Sequence, residues 1–279
     1  MQKIDTHVHF WDPAQLNYPW LAGAGSLERA FTLDDYQEAS KDAEVTKIVF
    51  VECNAQADEN IAEVQWIEKL AQEDSRISAI VAYLDLLNHE NINEKLSEFK
   101  KHPLVRGIRH NIQGNEPGFC LQDKYIEGVQ KAQLSGLRIE LCLTHDQLSD
   151  VIQLVKLCPE VEFMLNHAAK PGIKASLIEQ WQKDITTLAK SPNVYCKLSG
   201  LLTEADFDQW TPEEILPYFQ HCVQAFGHDR IVYGGDWPVI TLGGEYSDWN
   251  DLCEALTANW TEKNKLAFYQ KNAEAFYQI

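Results

Sequence analysis

The chain alternates between short apolar runs and longer stretches in which apolar residues recur with helical spacing. Each short run is apolar on both faces, as is typical of parallel strands that are covered by helices. Eight such runs predict eight strands, over Ile4–Phe10, Lys47–Cys53, Ile77–Leu86, Leu104–Asn111, Leu137–Thr144, Val161–His167, Val194–Ser199 and Ile231–Asp236.

Helix signals lie between these runs. Thr32, followed by Asp34 and Asp35, predicts an N-cap and an acidic first turn, and Thr211 precedes Pro212 and a capping glutamate, Glu214. Two further helices are predicted over Ala57–Gln72 and Thr261–Tyr277.

Eight strands that alternate with helices predict an α/β protein: one distorted (β/α)8 TIM barrel, a single domain over residues 1–279. An open doubly wound sheet is the alternative fold. It would call for a glycine-rich phosphate turn after an early strand, and the sequence has none there. In a barrel the C-terminal strand ends meet at one mouth, where active sites lie.

The charge balance narrows the choice of partners. With 42 acidic and 24 basic residues, the chain has a formal net charge of −18, which would repel nucleic acids and anionic membrane surfaces. A small-molecule substrate is therefore expected, and a homo-oligomer is compatible with this composition. No apolar stretch resembles a signal peptide or reaches membrane-spanning length, so we expect a cytoplasmic protein.

The seven cysteines are widely spread and include no C-x-x-C pair, which argues against a disulfide framework and a cysteine zinc site. Three of them, Cys53, Cys142 and Cys196, lie in apolar runs. We expect these three to be small buried hydrophobic residues in a reducing compartment.

The first run contains His7 and His9, two residues apart. Alternate residues of a strand share a face, so both imidazoles should project together, with Asp5 on the same side. Such a pair can bind one divalent metal ion or polarise a carbonyl oxygen. Alternatively, the two histidines hydrogen-bond to loop backbone at a strand end.

Two other strand ends carry polar residues of the same kind. The sixth run ends in His167, and the eighth ends in Asp236 after Gly234 and Gly235, which allow a close backbone approach. A single histidine there can be structural, and an aspartate can simply cap a turn. Because strands one, six and eight deliver all these groups to one mouth, we interpret them together as an active site.

The sequence places several other residues in this site less directly. Arg109 is expected in the pocket and Arg106 in a structural ion pair. Trp11, Tyr18, Trp20 and Trp237 either stack on a sugar ring or pack within loops, and we count Trp20, Trp237 and His110 with Arg109 as candidate substrate-binding residues. Glu52, Glu140 and Lys197 either line the mouth or pair with buried neighbours. Most of the remaining histidines are expected at the surface: His89, His102, His145, His221 and His228.

The sequence resembles the amidohydrolase superfamily, in particular its branch of sugar-lactone hydrolases, which includes fuconolactonases, rhamnonolactonases and pyrone-dicarboxylate lactonases. The matching segments occur in the same order over nearly the whole chain. They are Asp5–Pro13, Tyr18–Leu21, Val105–Asn111, Asn166–Pro171, Lys197–Gly200 and Gly235–Pro238.

The resemblance implies roles for the matching residues. His7, His9 and His167, with Asp236, would hold one divalent metal ion, zinc being the expected one, or would polarise the lactone carbonyl without a metal. Asp236 would take a proton from the attacking water, and Arg109 would orient substrate oxygen atoms. The fourth strand lacks the bridging lysine or glutamate of the wider superfamily, and the fifth has no histidine within it, since His145 falls just beyond. We therefore do not expect two metals.

These features predict a hydrolase of carbohydrate metabolism that opens a small sugar-acid lactone, such as fucono- or rhamnono-lactone. A metal-dependent decarboxylase or an amide hydrolase of the same superfamily is the nearest alternative. A barrel that binds a sugar acid without transforming it is an alternative of another class. The His-x-His and Gly-Asp-Trp-Pro motifs argue against that last alternative.

Overall fold

The computed structural model describes all 279 residues, and eight parallel strands form a nearly closed barrel in the order β1 to β8. Every predicted strand is present, which confirms the (β/α)8 barrel. The strands are β1 (Lys3–Val8), β2 (Val45–Val51), β3 (Ile77–Tyr83), β4 (Val105–Arg109), β5 (Arg138–Leu141), β6 (Phe163–Leu165), β7 (Val194–Leu198) and β8 (Ile231–Tyr233). Register irregularities between β1 and β2, β2 and β3, and β3 and β4 distort the barrel.

Helices cover the outside of the barrel. Capping boxes at Thr32 and Thr211 begin α1 and α7, as the sequence predicts. The helices are α1 (Leu33–Ala39), α2 (Asn60–Glu73), α3 (Ile92–Phe99), α4 (Asp123–Leu134), α5 (Leu148–Leu157), α6 (Glu179–Leu188), α7 (Pro212–Phe226), α8 (Tyr246–Thr257), α9 (Glu262–Leu266) and α10 (Asn272–Tyr277).

The last predicted helix is divided. A π-helical segment, Ala267–Lys271, joins α9 to α10. The buried side chains of Phe276 and Tyr277 pack against barrel residues that include Ile4 and Val232. The end of the chain therefore contributes to the barrel core.

The closure between β8 and β1 depends on few backbone bonds. The N–H of Asp236 donates to the His7 carbonyl at 2.8 Å, and the N–H of His9 donates to the Trp237 carbonyl at 2.8 Å. Two side chains of β1 extend this seam: the Asp5 carboxylate accepts the N–H of Gly235 at 2.7 Å, and the Thr6 hydroxyl donates to the carbonyl of Tyr233 at 2.6 Å.

The expectation that Asp5 shares a face with His7 and His9 is wrong. Its second carboxylate oxygen accepts hydrogen bonds from the hydroxyls of Tyr36 in α1 and Tyr246 in α8, at 2.9 and 2.8 Å. The physical reason is an irregularity in the β1 register between Asp5 and Val8, which interrupts the alternation of faces. Asp5 is thus a structural residue of the seam.

All seven cysteines are buried and unpaired, as expected for Cys53, Cys142 and Cys196. None of the helices has both the length and the apolar character that a bilayer crossing requires.

Close packing of α4 gives a test of the fold. A Cβ atom at Gly128 would lie 2.4 Å from the carbonyl oxygen of Leu86. Replacing a helical glycine by alanine normally stabilises a helix by about 1 kcal/mol. Here we expect Gly128→Ala to lower the free energy of unfolding by about 1–3 kcal/mol, because overpacking outweighs propensity. Urea denaturation followed by circular dichroism measures this change.

The matched control is Lys124→Ala on the exposed face of the same helix. It should change the free energy of unfolding by less than about 0.5 kcal/mol. A more stable Gly128→Ala protein would contradict the close approach of α4 to Leu86.

Candidate active site

A cavity of about 300 Å³ opens at the C-terminal ends of the strands. Its wall combines imidazoles, charged groups, amides, thiols and apolar side chains. The lining residues are His9, Trp11, Trp20, Leu27, Glu52, Cys53, Asn54, Arg109, Asn111, Gln113, Cys142, His167, Lys170, Asp236 and Val239. This is the mouth at which active sites of such barrels lie.

The floor of the cavity brings together the strand ends that the sequence singles out. Asp236 Oδ1 lies 3.7 Å from His7 Nε2 and 3.9 Å from His9 Nε2, and Asp236 Oδ2 lies 3.7 Å from His167 Nδ1. The two Nε2 atoms of His7 and His9 are 3.1 Å apart. The side chains from β1, β6 and β8 therefore surround one small space.

The histidine rings are held by bonds at their other nitrogen atoms. His9 donates its Nδ1–H to the carbonyl of Val51 at 2.7 Å. His7 Nδ1 lies 3.1 Å from Lys197 Nζ, and Ser199 Oγ lies 2.9 Å from Nδ1 of His167. Bonds of this kind fix the orientation of a ring, and in His7 and His9 they leave Nε2 directed at the site.

Burial controls ionisation in this cluster. It lowers the pKa of His9 to about 3, and it lowers the pKa of His7 and of His167 well below the usual histidine value. The charge of Lys197 lowers the pKa of His7 further, and that of Lys170 acts likewise on His167. Burial raises the pKa of Asp236 to about 7. All three imidazoles are therefore neutral at neutral pH.

His7, His9 and Asp236 form a group that could hold a metal ion, since their ligand atoms lie within 4.8 Å of one another. Neutral imidazole nitrogens and a carboxylate oxygen are ligands that suit zinc and similar divalent ions. The Nδ1–H of His9, which donates to a backbone carbonyl, also matches the surroundings of a metal-binding histidine. These residues fit a divalent metal ion, and His167 lies outside the trio.

His167 follows β6 in an unusual backbone conformation. It begins four successive non-glycine residues with positive φ: 51° at His167, 49° at Ala168, 61° at Ala169 and 46° at Lys170. We call His167–Lys170 the left-handed turn. Each such residue costs roughly 1–2 kcal/mol relative to the right-handed form, so surrounding contacts must hold it.

Glycines allow the close approach of the strand ends. A Cβ atom at Gly200, which has a φ of +64°, would lie 2.6 Å from Asp236 Oδ2 and 2.8 Å from His167 Nδ1. At Gly235 it would lie 2.5 Å from Asp5 Oδ2. Larger residues would separate the groups that the seam and the turn bring together.

Arg109 lines the cavity and pairs with Glu52. Its Nε donates to Glu52 Oε1 at 2.6 Å, and its NH2 donates to the carbonyl oxygen of Glu52 at 2.7 Å. Glu63 of α2 lies behind them and accepts the N–H of Cys53 at 3.1 Å. Burial, together with the charge of Glu52, raises the pKa of Glu63 to about 8.

The other candidate substrate-binding residues divide into two groups. Trp20 lines the cavity and donates to the carbonyl of Cys53 at 2.7 Å. Trp237 is buried outside the lining, against Phe10, Phe31 and Tyr36. The ring of His110 also lies away from the cavity, because this residue follows Arg109 and turns toward an aromatic cluster of Tyr83, Phe119 and Tyr125.

Three further predictions concern Arg106, His145 and the two loop aromatic residues Trp11 and Tyr18. Arg106 forms no ion pair, and its Nε is buried without a hydrogen-bond partner. His145 is partly buried, and its Nδ1–H donates to the carbonyl of Lys170 at 3.1 Å. Trp11 lines the cavity, whereas Tyr18 is buried nearby in its loop.

Sequence reasoning missed four polar residues of the cavity wall: Lys170, Asn54, Asn111 and Gln113. Their position shortly after β2, β4 and β6 was the available signal, because loops at that end of a barrel line its mouth. The Asn111 amide donates to Asn54 Oδ1 at 3.1 Å, while Asn111 Oδ1 is buried without a partner.

An ion pair inside the barrel supports His7. Lys197 Nζ lies 3.0 and 2.9 Å from the two carboxylate oxygens of Glu140, and both side chains are fully buried. The Tyr277 hydroxyl of α10 donates to Glu140 Oε1 at 2.5 Å. Lys197 and Glu140 thus pair with buried neighbours, which is one of the two roles the sequence leaves open for them.

This pair gives a test of stability. Lys197→Met leaves the Glu140 carboxylate buried without its cation, which should lower the free energy of unfolding by about 3–5 kcal/mol. Adding Glu140→Gln removes the stranded charge and should restore part of the loss. Urea denaturation of both variants measures this coupling.

Lys41→Met, which breaks the exposed pair of Lys41 with Glu38, is the control and should leave the urea unfolding midpoint close to that of wild type. Strictly additive effects of Lys197→Met and Glu140→Gln would show that the two charges do not depend on each other.

Three comparisons relate the chain to known proteins. A family model described as amidohydrolase matches residues 4–279. Two relatives named L-fucono-1,5-lactonase come from Burkholderia multivorans and Burkholderia ambifaria. They are 29% and 28% identical over 97% and 99% of this chain, and over 92% and 96% of their own lengths.

A solved structure of an amidohydrolase from Burkholderia multivorans is similar over the full length of both chains. It superposes with a TM-score of 0.90 at 27% sequence identity, and that structure contains bound zinc.

Proposed function

The chain belongs to the amidohydrolase family, and on this basis we propose that it hydrolyses a small sugar-acid lactone, such as fucono- or rhamnono-lactone, to the open hydroxy acid. One observation carries the proposal. The buried carboxyl of Asp236, with a pKa raised to about 7, lies within 4 Å of three neutral imidazoles at the floor of the cavity.

Asp236 is the general base of the proposed reaction. Its carboxylate takes a proton from a water molecule, whose oxygen attacks the lactone carbonyl carbon. The same carboxyl group then returns the proton to the ring oxygen as the ring C–O bond breaks. The net change is the addition of one water molecule, and the proton donor and acceptor are one residue.

Without a metal ion, His7 can stabilise the negative charge that develops on the carbonyl oxygen. Nδ1 of His7 faces the Lys197 ammonium group, so the neutral ring carries its proton on Nε2 and can donate it in a hydrogen bond to that oxygen. Such interactions are often the largest contribution to rate. His7, His9 and Asp236 would hold one divalent ion, with zinc the expected metal. When bound, such an ion supplies Lewis acidity and lowers the pKa of coordinated water.

The cavity walls suit a polyhydroxylated ring. Amides of Asn54, Asn111 and Gln113 provide donors and acceptors for hydroxyl groups, and Asn111 Oδ1 has no partner in the protein. Trp11 and Trp20 offer aromatic surface to the apolar face of a sugar ring. Arg109, held by Glu52, would orient substrate oxygen atoms.

The comparisons support the choice of substrate class. Two relatives that align over nearly the whole chain are named L-fucono-1,5-lactonase. An alkoxide leaves more readily than an amide nitrogen, so a single base and a polarising group suffice. Seven unpaired cysteines suit a reducing compartment, and we infer a cytoplasmic role in carbohydrate metabolism.

The first test removes the base. Asp236→Asn should lower kcat for lactone hydrolysis by roughly 10²–10⁴-fold, because the amide cannot accept the proton of water. Circular dichroism and the unfolding midpoint should stay close to wild type. A pH indicator follows acid release. The control, Asp208→Asn, changes an exposed aspartate and should leave kcat unchanged; near-normal turnover by Asp236→Asn would refute the assigned role.

The second test identifies substrate and metal together. A panel of aldonolactones that includes L-fucono-1,5-lactone is assayed before and after dialysis against a chelator, with metal content measured by mass spectrometry. We expect about one zinc per chain, lost on dialysis and restored with the activity.

His9→Ala should bind less zinc, whereas His89→Ala, at a partly buried histidine that faces Glu127 outside the cavity, should bind as much as wild type. Full activity of metal-free protein would refute the metal and leave lactone hydrolysis standing. Turnover of an aromatic acid with release of carbon dioxide, and of no lactone, would refute the lactonase.

A further inference from the structure

Lys170 lines the cavity beside His167 and Asp236 and has no assigned role. Its ammonium group lies within 4.0 Å of no carboxylate and makes no hydrogen bond, unlike the other cation of the wall, Arg109, which pairs with Glu52 at 2.6 Å. The cavity therefore contains one cation whose charge the protein leaves unpaired.

Lys170 lines the same cavity as His167 and Asp236, and its charge acts on both of them. Burial is the largest influence on the pKa of Asp236 and raises it, and Lys170 is the strongest of the charges that lower it, ahead of Arg109 and Lys197. For His167, burial again has the largest effect, and Lys170 comes next. No other cation acts as strongly on both residues.

Lys170 has a positive φ, a backbone conformation that non-glycine residues rarely adopt. The left-handed turn consists of His167, Ala168, Ala169 and Lys170, and none of them is glycine. His167 at its start explains only the first of these conformations. The turn as a whole brings two side chains, His167 and Lys170, to the same cavity.

Hydrogen bonds to three backbone carbonyl groups hold the left-handed turn in place. The indole N–H of Trp181 donates to the Ala168 carbonyl at 2.8 Å, and the N–H of Lys170 donates to the His167 carbonyl at 2.8 Å. His145 Nδ1–H donates to the carbonyl of Lys170 at 3.1 Å, and its ring packs on Gly172, where a Cβ atom would lie 3.2 Å from Cε1.

We propose that Lys170 is a further catalytic residue, whose ammonium group contacts the oxygen atoms on the lactone carboxyl carbon and stabilises the negative charge formed by water attack. The proposal rests on the proposed lactone hydrolysis. His145 is its positioning residue, because it fixes the carbonyl at which the turn ends. The same ammonium group binds the carboxylate of the product, whose two negatively charged oxygen atoms are bonded to that same carbon.

The test compares wild type with Lys170→Met and Lys170→Arg on the panel lactone that wild type turns over fastest. Removing one donor to a developing oxyanion typically lowers kcat by roughly 10²–10³-fold, and we expect that loss for Lys170→Met, with partial recovery in Lys170→Arg. Lys174→Met, four residues along and exposed beside Asp206, is the matched control and should keep wild-type kcat.

His145→Phe separates positioning from a general structural effect. It removes the N–H that donates to the Lys170 carbonyl. As a single substitution it should lower kcat relative to wild type. In the Lys170→Met background it should lower kcat no further, because its effect acts through Lys170. Unfolding midpoints are measured for all variants, so that a loss of folded protein is not counted as a loss of rate.

Binding of the product gives a second readout. Isothermal titration with L-fuconate and D-gluconate should give a Kd about tenfold higher for Lys170→Met than for wild type. Unchanged kcat and unchanged Kd would overturn the proposal, and so would a higher KM with unchanged kcat, since that indicates equal binding of substrate and transition state.

The proposed function and this inference fail in different ways. If wild type hydrolyses a lactone and Lys170→Met does so equally well, only the role of Lys170 is refuted. If wild type hydrolyses no lactone and binds neither hydroxy acid, both are refuted. Binding of a hydroxy acid that depends on Lys170, without any hydrolysis, would refute the catalytic role and leave an anion-binding residue.

Discussion

The closure of the barrel between β8 and β1 is the constraint on which the site depends. Two backbone hydrogen bonds join the strands at their C-terminal ends, and both involve site residues: Asp236 donates to His7, and His9 donates to Trp237. The same bonds that close the sheet therefore set the distance between the carboxylate and the imidazoles. Asp5 and Thr6 reinforce this seam below the site, through Gly235 and Tyr233. A change in how β8 meets β1 would therefore also change the geometry of the site.

Burial at that seam explains the protonation states. Neutral imidazoles cost less to bury than charged ones, and a buried carboxyl group that forms no ion pair with a lysine or arginine becomes harder to ionise. The pKa of Asp236 is therefore raised to about 7, which suits its proposed role as general base and acid, while His7, His9 and His167 stay neutral. Glu140 has a different environment, because Lys197 pairs with it directly. Two buried carboxyl groups of one barrel thus serve different purposes according to whether a cation touches them.

Much of this could be predicted from the sequence, because the signals are local. Apolar runs mark the eight strands, and the caps at Thr32 and Thr211 begin helices where expected. Barrel topology then predicts that His7, His9, His167 and Asp236 converge, which their distances show. The direction of a side chain just beyond a strand is less predictable. His110 and Trp237 lie at strand ends yet pack in aromatic clusters, because the two-residue alternation no longer applies once a strand has ended.

The left-handed turn shows why other parts of the site escaped prediction. Positive φ at a non-glycine residue has no signal in composition, and here tertiary contacts impose it on Ala168, Ala169 and Lys170. Trp181 and His145, which hold it, come from sequence positions on either side of the turn. With the turn held in this way, Lys170 lines the same cavity as Asp236 and His167. A strand end that supplied only His167 would need no such turn. The turn also carries Lys170 to the cavity wall, where an ammonium group that forms no ion pair can stabilise a bound molecule that becomes negatively charged.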